Sequence, residues 1–290
     1  MTTRPTTGTL RAPGATLHYE VRGRGPLLLL IPGGTGGAAA LDAVAGVLAA
    51  DYRVAAYDPR GLARSPLDAP DAEQTVAEHA TDAARLIDLL SPDEPARVFG
   101  ASSGAIAALH LLTTRPERVT LAVAHEPPLL AALPDAQARR AELARVQHLF
   151  RTEGLAPALS AFTAMLLGTP GQPATLTLPP QAAARAEQTL AGLPYFLGRI
   201  VPPFMTYPPD LPHLRTLTPH LVLAHGTDST SELPHRATTH LAALLPTAPT
   251  PFPGGHTGST THPAAFAEAL LRALAAGPRD RHRQAVSQPS

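Results

Sequence analysis

The sequence predicts an α/β fold, a mostly parallel central sheet with helices on both faces and a helical lid insertion, and three observations carry that reading. Short apolar runs alternate with segments of helical period up to residue 126 and resume after residue 219. Gly100-Ala101-Ser102-Ser103-Gly104 sets a serine between two glycines where an apolar strand gives way to a helix. Between residues 127 and 219 the alternation is lost, and Pro-rich joints separate helical patterns.

Two alternating segments, around Thr9 to Arg11 and Thr16 to Arg22, flank Pro13-Gly14 and read as an antiparallel hairpin. Leu27 to Ile31 is apolar throughout, as a strand covered on both faces must be. Ala39 to Ala49 carries Leu41, Val44 and Leu48 at helical spacing, and Arg53 to Tyr57 reads as the next strand. Val76, Ala80, Ala83, Ile87 and Leu90 mark the buried stripe of a longer helix. Arg97 to Phe99 ends a strand, Ala105 to Thr114 is an Ala/Leu-rich helix stopped before Pro116, and Val119 to Ala124 is a buried strand.

Beyond residue 127, Leu143, Val146 and Phe150, then Leu159, Phe162 and Leu166, repeat at helical spacing. Leu221 to Ala224 is a further strand, and the last helix starts at Pro263. Right-handed crossovers place the C-terminal ends of the parallel strands on one edge, where folds of this class bind ligands. An insertion leaving that edge is expected to be a lid, the alternative being a stability subdomain without ligand contact. The expected organisation is a core of residues 1–126 and 220–276, a lid of residues 127–219, and a disordered polar tail of residues 277–290.

With 290 residues and 44% hydrophobic content the chain can bury a large core. Basic and acidic residues balance at 23 each, leaving no electrostatic case for nucleic acid or an anionic membrane surface. The expected partner is a small molecule without strong charge, and oligomeric state stays open. All the basic residues are Arg, and Ala and Pro abound, as a GC-rich bacterial genome would encode. The lack of cysteine removes disulfides, thiolate ligands and thiol nucleophiles. Residues 1–25 are polar without an apolar signal segment, so a cytoplasmic protein is expected. The 13 histidines are scattered without metal-ligand spacing, and neither a metal nor a cofactor is expected.

The chemistry centres on Ser102. A serine at a sharp strand-to-helix turn takes a strained backbone, and the positions two before and two after it must be small. Such a serine needs a base, and His256, in Pro253-Gly254-Gly255-His256-Thr257-Gly258, sits in a glycine-rich loop able to carry an imidazole to the strand edge. The imidazole needs a carboxylate in turn. Asp228, in His225-Gly226-Thr227-Asp228, follows a strand and completes the order Ser102, Asp228, His256. Glu126, in His125-Glu126-Pro127-Pro128, is the rival acid, and it and His125 otherwise shape the pocket or anchor the lid. Ile31-Pro32-Gly33-Gly34-Thr35-Gly36-Gly37 follows a central strand and can supply a backbone N–H to an oxyanion. It lacks the GxGxxG spacing of a dinucleotide site.

From about Thr9 to Ala275 the chain resembles the α/β-hydrolase superfamily. Pro32 to Gly36 is similar to its HGxxG oxyanion loop with Pro32 in place of His. Tyr57-Asp58-Pro59-Arg60-Gly61-Leu62-Ala63-Arg64-Ser65 is similar to its D-x-R-G-x-G-x-S turn, with Ala63 replacing a glycine. The resemblance implies an α/β-hydrolase fold with Ser102 as nucleophile, Asp228 as acid, His256 as base, and the N–H groups of Gly34 and Ser103 as oxyanion hole. Asp58 and Arg60 are then structural.

The expected function is a serine hydrolase acting on an ester, thioester or lactone. Carbon-carbon hydrolysis, perhydrolysis, amide cleavage and acyl transfer use the same triad, and a non-hydrolytic receptor or cyclase on this fold is the alternative of another class. A serine at the elbow argues against epoxide hydrolases and haloalkane dehalogenases, which need a carboxylate there. Phe162, Tyr195, Phe196, Phe204, Met205 and Tyr207 suggest an uncharged aromatic or acyl substrate, or else lid core packing.

Overall fold

A computed structural model describes residues 4–168 and 189–275. Eight strands form one sheet in the order β1-β2-β4-β3-β5-β6-β7-β8. They are β1 (Thr6–Ala12), β2 (Ala15–Arg22), β3 (Leu27–Ile31), β4 (Arg53–Tyr57), β5 (Ala96–Ala101), β6 (Val119–His125), β7 (Leu221–Gly226) and β8 (Thr250–Phe252). β1 and β2 form an antiparallel hairpin and β2 runs antiparallel to β4, while every other neighbouring pair is parallel. The hairpin is longer than the alternation predicted because its tip needs only the Pro13-Gly14 turn, with Gly14 at φ 78.

Alternation within the strands explains the two-sided cover. Leu27, Leu29 and Ile31 join the core layer under α2 (Val76–Leu90) and α3 (Ser103–Thr114). Leu28 and Leu30 join the opposite layer, under α1 (Asp42–Leu48) and the last helix, Pro263–Ala275. Full burial of each such leucine is worth about 1.5 to 3 kcal/mol, so a run that looks uniformly apolar is specified on both faces. All five residues of the predicted stripe on α2 are buried, and Thr75 and Glu78 close a capping box at its start.

The insertion between β6 and β7 contains α4 (Ala136–Thr152), α5 (Leu155–Leu167), and a helical stretch from residue 189 that passes through a π-helical turn (Phe196–Ile200) into α6 (Val201–Met205). α7 (Leu211–Thr216) leads back to the sheet. Leu143, Val146, Phe162, Met165, Leu197 and Met205 form a separate apolar cluster. It rests on Leu233 and Ala237 of α8 (Leu233–Leu244), a helix the sequence reading did not single out. After β8 come α9 (Gly258–Thr261) and α10 (Pro263–Ala275). The tail expected over residues 277–290 lies outside the described residues. Among the described residues no helix is long and apolar enough to cross a membrane.

Candidate active site

The ladder between β5 and β6 builds the first half of the site. Ala101 pairs with His125, so the next residue on each strand, Ser102 and Glu126, leaves the sheet side by side at its C-terminal edge. The Ser102 N–H donates to the His125 carbonyl at 2.9 Å, and the Glu126 N–H donates to the Ala224 carbonyl of β7 at 2.9 Å. Both residues turn sharply, with φ 53 at Ser102 and φ 49 at Glu126, a region that costs a side-chain-bearing residue about 1 to 3 kcal/mol. Tight packing holds the elbow in place. A methyl group on Gly100 would strike the Gly104 carbonyl, and one on Gly104 the Ile31 and Pro32 carbonyls.

β8 leads into the loop that carries His256. Phe252 pairs with Gly226, and the glycine-rich loop that follows brings His256 Nε2 to 3.1 Å from Ser102 Oγ. On its other side, His256 Nδ1 lies 2.7 Å from Glu126 Oε2. Glu126 is fully buried, and Oε1 accepts from the Gly226 N–H at 2.9 Å and from Ser229 Oγ at 2.5 Å. Burial would push this carboxyl up. The hydrogen bond and charge of His256, the charge of His125 and the Ser229 hydroxyl outweigh it and hold Glu126 at about 2.

The preference for Asp228 is therefore corrected. Asp228 is exposed at the turn after β7, where its N–H donates to Gly254 at 3.0 Å and its carboxylate accepts from Thr227 Oγ1 at 3.1 Å. That loop meets the imidazole's carboxylate through Gly226 and Ser229, two donors the sequence reading missed. His125 does not line the cavity either. It is packed edge-on against Phe252 and Phe266, with ring centroids 5.8 and 5.1 Å away, and burial lowers it to about 3.

The loop after β3 closes the other side. The Gly34 N–H donates to Ser103 Oγ at 3.3 Å, and as first residue of α3, Ser103 has a backbone N–H with no partner in its own helix. Asp58 braces this loop, accepting from the Ala38 N–H at 2.8 Å and from Arg64 Nε at 2.7 Å. Arg60 makes a two-pronged pair with Asp82 at 2.6 and 2.7 Å. Neither lines the cavity.

A cavity of about 330 Å³ opens beside Ser102, bounded by Gly33, Gly34, Ser103 and His256 on the sheet side and by Phe162, Leu166, Phe196, Val201, Phe204 and Met205 on the insertion side. No Asp, Glu or Arg lines it among the described residues. Two of the aromatic residues expected there are elsewhere. Tyr207 bonds His110 Nδ1 at 2.7 Å, and the Tyr195 ring covers Gly61.

A model of the alpha/beta hydrolase fold family matches residues 26–196. The uncharacterized hydrolase YraK of Bacillus subtilis (strain 168) is 35% identical over 269 residues, which span 91% of this chain and 94% of that protein. The zearalenone hydrolase of Bionectria ochroleuca is 35% identical over 127 residues, 42% of this chain and 48% of that one. Among solved structures, a thermophilic esterase from Thermogutta terrifontis superposes with a TM-score of 0.71 at 20% identity, over 94% of this chain and 98% of its own. The enol-lactonase from Burkholderia xenovorans LB400 does so with a TM-score of 0.65 at 18% identity, over 92% and 100%.

Proposed function

The chain belongs to the alpha/beta hydrolase fold family, and from that premise we propose that it is a serine hydrolase. Its substrate is a small, largely apolar ester, thioester or lactone, cleaved through an acyl-enzyme on Ser102. The observation that carries this reading is the unbroken relay from Ser102 Oγ through His256 to Glu126, at 3.1 and 2.7 Å.

His256 Nε2 takes the Ser102 proton as Oγ attacks the carbonyl carbon, and Glu126, ionised throughout, holds the Nδ1–H tautomer and stabilises the imidazolium. The oxyanion is received by the N–H groups of Gly34 and Ser103, and losing one such donor costs about 2.7 to 4 kcal/mol of barrier. The Ser103 hydroxyl that engages Gly34 gives way when the carbonyl oxygen arrives. His256 then protonates the leaving oxygen or sulfur. Water attacks the acyl carbon with His256 again as base, releasing the acid and restoring Ser102.

The insertion serves as a lid, a role supported by its apolar side chains in the cavity wall. An acyl body packs against them, and the absence of charged side chains from the described lining disfavours an ionised substrate. An esterase and an enol-lactonase share this fold, in keeping with ester and lactone chemistry. The test is turnover of p-nitrophenyl acetate, butyrate and hexanoate, a thioester and a simple lactone by the purified protein. Hydrolysis that Ser102→Ala and His256→Ala each abolish supports the reading; a folded protein that cleaves none of them refutes it.

A further inference from the structure

The cavity beside Ser102 holds more hydrogen-bonding capacity than acyl transfer uses. Thr35 follows Gly34 in the loop after β3, and Thr257, Ser259 and Thr260 follow His256 in its loop and in α9, and all four line the cavity. None of the four hydroxyls has a hydrogen-bond partner among the described residues. Elsewhere the chain ties such groups down. Thr81, Thr206, Thr238 and Thr239 each donate to the carbonyl four residues back, at 2.7 to 3.1 Å.

The hydroxyls are graded by depth. Thr35 is only 7% exposed, Ser259 is half-buried, and Thr257 and Thr260 stand at the exposed mouth. A hydroxyl that lines a cavity without a protein partner is open to a ligand oxygen as its hydrogen-bond partner. Among the described residues the facing wall is formed mainly by Phe162, Leu166, Phe196, Val201, Phe204 and Met205, with Thr189 beside them, so an occupant meets a largely apolar surface on one side and hydroxyls on the other.

We propose that the substrate class is an uncharged ester or lactone with an apolar body that also carries hydroxyl or keto oxygens within a few bonds of the scissile carbonyl. Thr35 and Ser259 select for those oxygens, and Thr257 and Thr260 receive any that reach the mouth. This deepens the serine-hydrolase reading and rests on it.

The test compares kcat/KM for p-nitrophenyl butyrate and p-nitrophenyl 3-hydroxybutyrate, and for a medium-ring lactone with and without a ring keto group. The wild type should prefer the oxygenated member of at least one pair by about tenfold or more, and Thr35→Val and Ser259→Ala should each lower that ratio by about tenfold. Ser259→Ala, at a half-buried site, keeps the test sound where Thr35→Val disturbs folding. Hydrolysis of both members of each pair at equal rates, or a preference that neither variant changes, overturns this inference while leaving the serine-hydrolase reading intact. If no ester or lactone is cleaved and Ser102 takes no fluorophosphonate, the parent reading fails and this one with it.

Discussion

Glu126 Oε2 stands 2.7 Å from His256 Nδ1, so the carboxylate facing the imidazole comes from the end of β6, one strand away from Ser102. Glu126→Gln removes the charge that stabilises the imidazolium while keeping the shape, and kcat should fall about 10³- to 10⁴-fold. Asp228→Asn alters an exposed turn and should change kcat less than about threefold. Ester hydrolysis by the two variants checks the pair, and the reverse ranking would return the acid to the loop after β7.

Ser229 Oγ donates to Glu126 Oε1, so in the proposed mechanism it is a positioning residue. Ser229→Ala leaves Oε1 with the Gly226 N–H alone, and losing a hydrogen bond to a charged group is worth about 1.5 to 3 kcal/mol. The expected result is about a tenfold drop in kcat with KM nearly unchanged. A rise in KM at constant kcat would place Ser229 in substrate binding instead.

Acid should destabilise the fold in two windows. His79 and His125 are held at about 3, both by burial and then, for His79, by the charge of Arg60. They stay neutral in the folded chain while the unfolded chain takes up protons below about 6.5. Stability is therefore lost as pH falls from 6.5 towards 3, at about 1.4 kcal/mol per pH unit for each histidine. Glu126 has the depressed carboxylate's sign, so its contribution is present above about 4.5 and lost as pH falls through 2. Urea midpoints at pH 7, 6 and 5 check the histidine window. His79→Gln should show a shallower slope than the wild type, and equal slopes would contradict the assignment.

Ala63 stands at φ 48 in the turn braced by Asp58, where the resembling motif has glycine. Relief of the left-handed strain, about 1 to 2 kcal/mol, exceeds the unfolded-state entropy that glycine adds, about 0.4 to 1 kcal/mol. Ala63→Gly should stabilise the fold by about 0.5 to 1 kcal/mol in denaturant unfolding. A destabilised variant would mean that the methyl group's packing outweighs the strain.

Much of the fold was legible because β3, β4, β6 and β7 are buried on both faces and read as apolar runs, and because α2 keeps one stripe inward. β8 was missed as a strand: it is three residues long and contains Pro251, so neither length nor alternation marks it. Ser102 and His256 stand out in the sequence through the glycines their turns require, and the structure brings the two side chains together. The preference for Asp228 went wrong because chain order places an acid after β7, whereas pairing in the sheet decides which carboxylate meets the imidazole. The signal for Glu126 was present in its position just past β6, the strand beside the elbow. Ser229 carried none, since a serine two residues past a strand in a polar turn looks like any other.

Whether Ser102 is an activated nucleophile is read from intact-mass measurement after incubation with a fluorophosphonate. The expected result is one adduct per chain, mapped by peptide sequencing to Ser102, absent in Ser102→Ala and formed far more slowly in His256→Ala. An unlabelled folded protein, or an adduct on a residue other than Ser102, would contradict it.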